Sequence, residues 1–145
     1  MGRLVIDSSV SLKWWLDDED YVDEARKILM QIHAGRIIPV VPDLWYYEVV
    51  NGIRTAVFRK RITKKQGRTF IIEMLSLGFE TIGIVFYLPK IFDYAVKYKY
   101  AIYDLSYLVL AEEQKIQCVT GDRRFFNTIK DDLSFVYHLS TFPVK

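Results

Sequence analysis

Four short apolar runs, each followed by a stretch with helical spacing, restrict this chain to a narrow set of folds. Leu4-Val5-Ile6 ends at Asp7-Ser8-Ser9, Ile37 to Val41 lies between Gly35 and Pro42, Phe79 to Phe86 follows Gly78, and Gln117 to Thr120 runs into Gly121-Asp122. Runs of this length, rich in β-branched residues and lacking polar alternation, read as strands buried on both faces, the habit of parallel sheets. Phe135 to His138 adds a short fifth candidate. Between them, Asp20 to His33 carries Tyr21, Ala25, Ile28, Leu29 and Ile32 near helical spacing, and Gly35 supplies a stop. Pro42-Asp43 opens a helix with Asp43 as its expected N-cap and Val49, Ile53, Ala56 and Val57 on its core face. Thr63 is expected to cap a helix running to about Leu77, Pro89 starts another, and Asp104 begins one that carries Leu105, Leu108, Val109 and Ala111. The alternation predicts an α/β fold, a central, mostly parallel sheet of four to five strands with helices on both faces. At 145 residues the chain is expected to form a single domain over residues 1–145.

In open α/β sheets, ligands bind outside the carboxyl ends of the strands. Asp7 follows the first strand, Asp122 follows the fourth, and Asp104 opens the helix that leads into the fourth. Glu48, on the helix after the second strand, is able to reach the same end. Carboxylates packed together repel one another, so they either share protons or hold a cation, and hard divalent ions prefer oxygen ligands. No cysteine or histidine accompanies the four, which favours Mg²⁺ or Mn²⁺ over zinc. Such a site is suited to phosphodiester hydrolysis. Taken singly, each acid has another reading: a strand-end Asp caps the next helix, Asp104 is an N-cap, Glu48 is a solvated helix residue. Asn51, one turn after Glu48, is placed to touch a phosphate or a metal-bound water, and Ser9 and Thr120 are suited to support the acids.

Cations are segregated. Arg54, Arg59, Lys60, Arg61, Lys64, Lys65 and Arg68 occur with no acid between Glu48 and Glu73. This segment either flanks the acids and tracks a nucleic-acid backbone, receives an acidic partner, or is a solvated helix connection. Arg123 and Arg124 adjoin Asp122, where they clamp a scissile phosphate or pair with Asp131 or Asp132. A helix cannot bury all of Trp45-Tyr46-Tyr47 on one face, so some of this aromatic surface is expected to meet solvent or a partner, a second copy or a bound helix before unpaired RNA bases. His33 and His138 have no such context and are expected at surface or core-edge positions without a role.

A net charge of +2 is too small to argue for nucleic acid without that segregation. No apolar run approaches a membrane span, and Asp7 arrives too early for the apolar region of a signal peptide, so neither insertion nor export is expected. The single cysteine, Cys118, reads as a buried inert thiol and fits a reducing cytoplasm.

Four segments in order, Val5-Ile6-Asp7-Ser8-Ser9-Val10, Glu48-Val49-Val50-Asn51, Tyr103-Asp104-Leu105-Ser106-Tyr107 with Ala111, and Val119-Thr120-Gly121-Asp122-Arg123-Arg124-Phe125, resemble the PIN-domain nucleases over nearly the whole chain. Within them the chain is similar to the VapC toxins of toxin–antitoxin pairs. Leu105 departs from the pattern, which favours a small residue there. The resemblance implies a three-layer PIN-like fold and an endoribonuclease dependent on Mg²⁺ or Mn²⁺, with Asp7, Glu48, Asp104 and Asp122 as catalytic and metal-binding residues. It implies a homodimer neutralised by a small antitoxin. The alternative is a module of the same fold that binds or processes RNA outside a toxin–antitoxin pair. A haloacid-dehalogenase-like phosphatase would need a second Asp where Ser9 stands, and a receiver domain would need an Asp where the chain reads Phe86-Tyr87-Leu88-Pro89.

Overall fold

The structure, a computed structural model, describes residues 2–144. The chain runs β1 (Gly2–Ile6), α1 (Ser8–Ser11), a 3₁₀ turn (Leu12–Trp14), α2 (Val22–His33), β2 (Ile37–Pro42), α3 (Leu44–Phe58), α4 (Lys64–Ser76), β3 (Glu80–Ile82), a second 3₁₀ turn (Val85–Tyr87), α5 (Leu88–Tyr98), α6 (Ile102–Gln114), β4 (Gln117–Thr120), α7 (Arg123–Ile129) and β5 (Val136–His138). All strand pairings are parallel, in the order β3-β2-β1-β4-β5. The fold is α/β and PIN-like, as expected.

β1 is the centre. Val5 stands between Val40 of β2 and Cys118 of β4, and Val5, Ile6, Val40, Val41, Cys118 and Val119 are fully buried. The chain builds outward from β1 through β2 to β3, then returns to add β4 on the other side of β1. That reversal makes the gap beyond the β1 and β4 tips a topological switch point, the place where such sheets leave room for a ligand.

The sequence expectations are corrected in three places. The run from Phe79 to Phe86 is strand only at Glu80–Ile82; Val85–Tyr87 coils into a 3₁₀ turn and leaves Phe86 almost wholly exposed. Asp43 precedes α3, but its backbone is already helical and its side chain makes no capping bond. Asp104 is not an N-cap, since Ala101 holds that position and Asp104 lies in the first turn of α6. Leu105, the departure from the family pattern, is completely buried. By contrast, Thr63 caps α4 through a full capping box, its hydroxyl accepting from Gln66 N while the Gln66 side chain accepts from Thr63 N.

Candidate active site

α1 begins directly after β1, so Ser8 and Ser9 fold back over the Asp7 carboxylate. The loop after β4 closes the other side. Gly121 N donates to Ser9 Oγ at 2.8 Å and Asp122 N donates to Thr120 Oγ1 at 3.1 Å. With those lone pairs occupied, the two hydroxyls turn their protons on Asp7: Ser9 Oγ donates to Oδ2 at 2.9 Å and Thr120 Oγ1 donates to the same oxygen at 2.8 Å. Asp7 Oδ2 is thereby committed, while among the side chains of the described residues Oδ1 receives only the long 3.4 Å contact of Ser8 Oγ.

Glu48 reaches this end because α3 is pressed against the chain after β1. Trp45, fully buried, donates from Nε1 to Ser11 Oγ at 3.0 Å, and a Cβ at Gly52 would stand 2.6 Å from Leu12 Cδ1, so the helix packs close enough here that any larger residue would displace the Leu12 side chain. Glu48 Oε1 accepts from Tyr107 OH at 2.6 Å and lies 3.3 Å from Ser8 Oγ, whose single proton is shared between Asp7 and Glu48. Asp122 Oδ1 accepts from Phe125 N at 3.0 Å and caps α7, so the capping alternative holds there and uses one oxygen of two. Asp104 makes no side-chain hydrogen bond among the described residues.

The electrostatics follow. Burial raises the Asp7 carboxyl, working against its hydroxyl donors and reinforced by Asp122. Glu48 is raised by burial and by Asp7, with Tyr107 and Ser8 opposing. Asp104 is pushed up to about 6 by burial and by repulsion from Asp7, Glu48 and Asp122. Tyr107 is raised well above its ordinary value by burial and by Asp7 and Glu48, so its phenol stays a donor. Among the described residues none of the four acids has an ion-pair partner. Each of them keeps one oxygen without a short hydrogen bond, and uncompensated hard oxygens at the mouth of a sheet are the donor set that Mg²⁺ or Mn²⁺ takes. Among the described residues, no three acid, histidine or cysteine side chains are close enough to surround one ion. The arrangement is an electrostatic pocket of acids and not a closed coordination shell.

The other singled-out residues divide. Ser9 and Thr120 are in the pocket as expected. Asn51 is exposed on the wall of an apolar groove between α3 and α4, lined also by Tyr47, Val50, Met74 and Leu75, and makes no bond to the acids. The basic segment starts at the far end of α3: Arg59 is eleven positions beyond Glu48, about 16 Å along the helix. Arg54 stacks on Phe58 at 4.1 Å, and Arg59, Lys60, Lys64, Lys65 and Arg68 are exposed without ion pairs among the described residues. Arg61 departs from the expectation, because it is spent on Asp18 and Glu19. Arg123 does not pair with Asp131 or Asp132; its Nη2 donates to Ser140 Oγ at 2.8 Å and to Tyr21 OH at 3.2 Å. Arg124 is exposed. His138, expected at the surface or core edge, is buried, its Nδ1 bonded to Ser140 and its Nε2 without a partner among the described residues.

Three residues escaped the sequence reading. Tyr107 is one turn after Asp104 and on the same face, a signal that was readable. Ser8 sits inside the quoted Asp7-Ser8-Ser9 motif. Lys13, a lone cation before Trp14-Trp15, is buried beside Gly121.

Residues 4–130 match the sequence model of the PIN domain. No curated protein matches the sequence at a significant level. Among solved structures, the PAE2754 protein of Pyrobaculum aerophilum superposes with a TM-score of 0.70 at 20% identity, over 97% of this chain and 92% of that one. A toxin–antitoxin complex from Klebsiella pneumoniae gives 0.65 at 16% identity, over 94% and 97%. VapBC2 from Rickettsia felis, bound to a DNA fragment from its promoter, gives 0.61 at 12% identity, over 94% and 98%. At these identities the likeness is one of fold.

Proposed function

Since the chain belongs to the PIN-domain family, a family of nucleases, we propose that it is an endoribonuclease dependent on Mg²⁺ or Mn²⁺ and the toxin of a VapBC-type toxin–antitoxin pair. The observation that carries the reading is the set of four acids, mutually repelling and without a cationic partner among the described residues, at the switch point of the sheet. Asp7, Glu48, Asp104 and Asp122 would hold the ion through the oxygens that hydrogen bonds leave free. When bound, such an ion supplies Lewis-acid activation of the phosphodiester and of water. The protein's part is positional: Ser9 and Thr120 fix Asp7, Tyr107 fixes Glu48, and the capping bond to Phe125 N fixes Asp122. Arg123, pinned by Ser140 and Tyr21, and Arg124 are assigned to the phosphate side. Arg54, Arg59, Lys60, Lys64, Lys65 and Arg68 are assigned to more distant RNA or to an acidic partner segment.

The neighbours that are toxin–antitoxin complexes support an antitoxin partner, and the apolar groove of Tyr47, Val50, Met74 and Leu75 offers it a surface. Exposed Phe86, Phe92 and Val96 support a homodimer. Among the described residues no helix is long and apolar enough to cross a membrane. The reading is of one nuclease domain acting in the cytoplasm.

A second reading, an RNA-binding or RNA-processing module outside such a pair, is favoured by the absence of a closed ion cage among the described residues. One experiment separates the two. Purified protein should cut single-stranded RNA in Mg²⁺ or Mn²⁺ and stop in excess chelator; cutting that persists in chelator sinks the metal mechanism, and RNA bound but never cut in either ion leaves the binding module.

A further inference from the structure

Lys13 is nine-tenths buried, yet its ammonium makes no hydrogen bond among the described residues. Its only ionic neighbour there is Glu19, at 3.5 Å, longer than the roughly 2.7–2.9 Å of a bonded charge pair. The stem is buried but Nζ is not sealed in, since His138 Nε2 is the one fully buried side-chain atom without a partner among the described residues, so the ammonium offers its donors to water or to an anion. The stem passes over Gly121, where a Cβ would come within 3.0 Å of Lys13 Cε, and the ammonium opens on a cavity of about 390 Å³ lined by the cations Lys13 and Arg123, the acids Asp18, Glu19 and Asp20, and Tyr21 and Gly121, with Asp18 already paired to Arg61. Arg123 stands on this cavity with its guanidinium held by Tyr21 and Ser140, neither of which neutralises it. Asp7, Glu48, Asp104 and Asp122 do not line the cavity, but Gly121, which does, is the chain neighbour of Asp122. Glu19 is a shared partner: its other oxygen accepts from Arg61 at 3.1 Å, which leaves it an alternative when it releases Lys13.

We propose that Lys13 and Arg123 form a subsite for a backbone phosphate flanking the scissile one, and that Glu19 occupies the place of that phosphate in the free protein. The inference rests on the reading of the chain as a ribonuclease. It adds a buried cation that the acid pocket lacks and sets the strand's direction across Gly121. Glu19, carrying a carboxylate in place of a phosphate, is then a competitor for the substrate, which makes the two residues act with opposite signs.

The test is steady-state cleavage and salt-dependent binding of a single-stranded RNA by wild type, Lys13→Met and Glu19→Gln in Mn²⁺. Met keeps the packing of the stem without the charge. Lys13→Met should raise KM about tenfold with kcat within about twofold, and should lower the slope of log affinity against log salt by about 0.7, the value of one phosphate on a single strand. Glu19→Gln should lower KM, by about two- to threefold. Unchanged KM and salt slope in Lys13→Met would overturn the subsite while leaving the nuclease reading intact, as would a fall in kcat at constant KM. Should Lys13→Met fail to fold, Glu19→Gln decides alone, and an unaltered or raised KM overturns the proposal. RNA neither bound nor cut by wild type overturns both readings together.

Discussion

The two ends of α6 carry acids in opposite conditions. In its first turn Asp104 faces Asp7, Glu48 and Asp122 and is pushed up to about 6. In its last turn Glu112 and Glu113 face Lys90, at 2.6 and 2.9 Å, and Tyr94 OH donates to Glu112 at 2.8 Å. Burial raises Glu112 too, but Lys90 and Tyr94 outweigh it and bring the carboxyl below its ordinary value. One end has its charge balanced by the protein. The other has no cationic partner among the described residues, and that contrast, more than the presence of acids, is what supports the proposed site.

Substitutions sharpen the contrast, and the largest effect should come first. Asp7→Asn keeps size and most hydrogen bonding while removing one charge, so RNA cleavage should vanish with the fold intact; Glu112→Gln should cleave as wild type does. Gel assays of both would break the comparison if the losses were equal. Next, an ion that binds only the folded state stabilises it by about 2.7 kcal/mol at a hundredfold excess over its dissociation constant. Thermal scans across a Mn²⁺ titration should show this rise for wild type and much less for Asp7→Asn, which in metal-free buffer should melt no lower than wild type. Equal shifts, or a mutant that fails to fold without metal, would make Asp7 structural.

Tyr107→Phe should cost about 1–2 kcal/mol in chemical denaturation, because Glu48 loses its shortest donor in a half-buried setting. The pH dependence is smaller and has a definite sign. A carboxyl raised in the folded state favours folding at low pH, and that contribution is lost as pH rises through about 6. His138, lowered by burial and by Arg123, opposes this, since its contribution is present at high pH and lost as pH falls below its ordinary value. The difference between wild type and Asp104→Asn isolates the acid: metal-free wild type should lose stability relative to the mutant between about pH 4 and about pH 6. A flat difference would mean that Asp104 is not repelled by its neighbours. Lys90→Met should be the smallest change, under about 1 kcal/mol, as expected of a partly exposed pair, with cleavage untouched.

Much of this was legible in the sequence, for reasons that differ by residue. Gln117 to Thr120 is a strand as read, and Thr63 caps α4 as read, because both depend on nearest neighbours in the chain. Phe79 to Phe86 misled because an apolar run reports hydrophobicity and not burial; after Gly83 the chain turns outward and Phe86 meets solvent. Arg61 misled because its charge partners, Asp18 and Glu19, are over forty positions away. The four acids were found through order and motif. Lys13 was not, since a single cation among tryptophans acquires meaning only when Gly121 arrives beside it.

The hydrogen bond from Thr120 to Asp7 joins residues 113 positions apart, and β1 gains its β4 neighbour only across the same span. Long-range pairings of this kind form late. During translation, therefore, Asp7 has Ser8 and Ser9 beside it at once but waits for its Thr120 donor until β4 has been synthesised and has paired. A nascent chain that has not reached Asp122 lacks the full set of four acids, so the cleavage proposed for this pocket is withheld from the ribosome producing it until β4 and the loop after it have emerged.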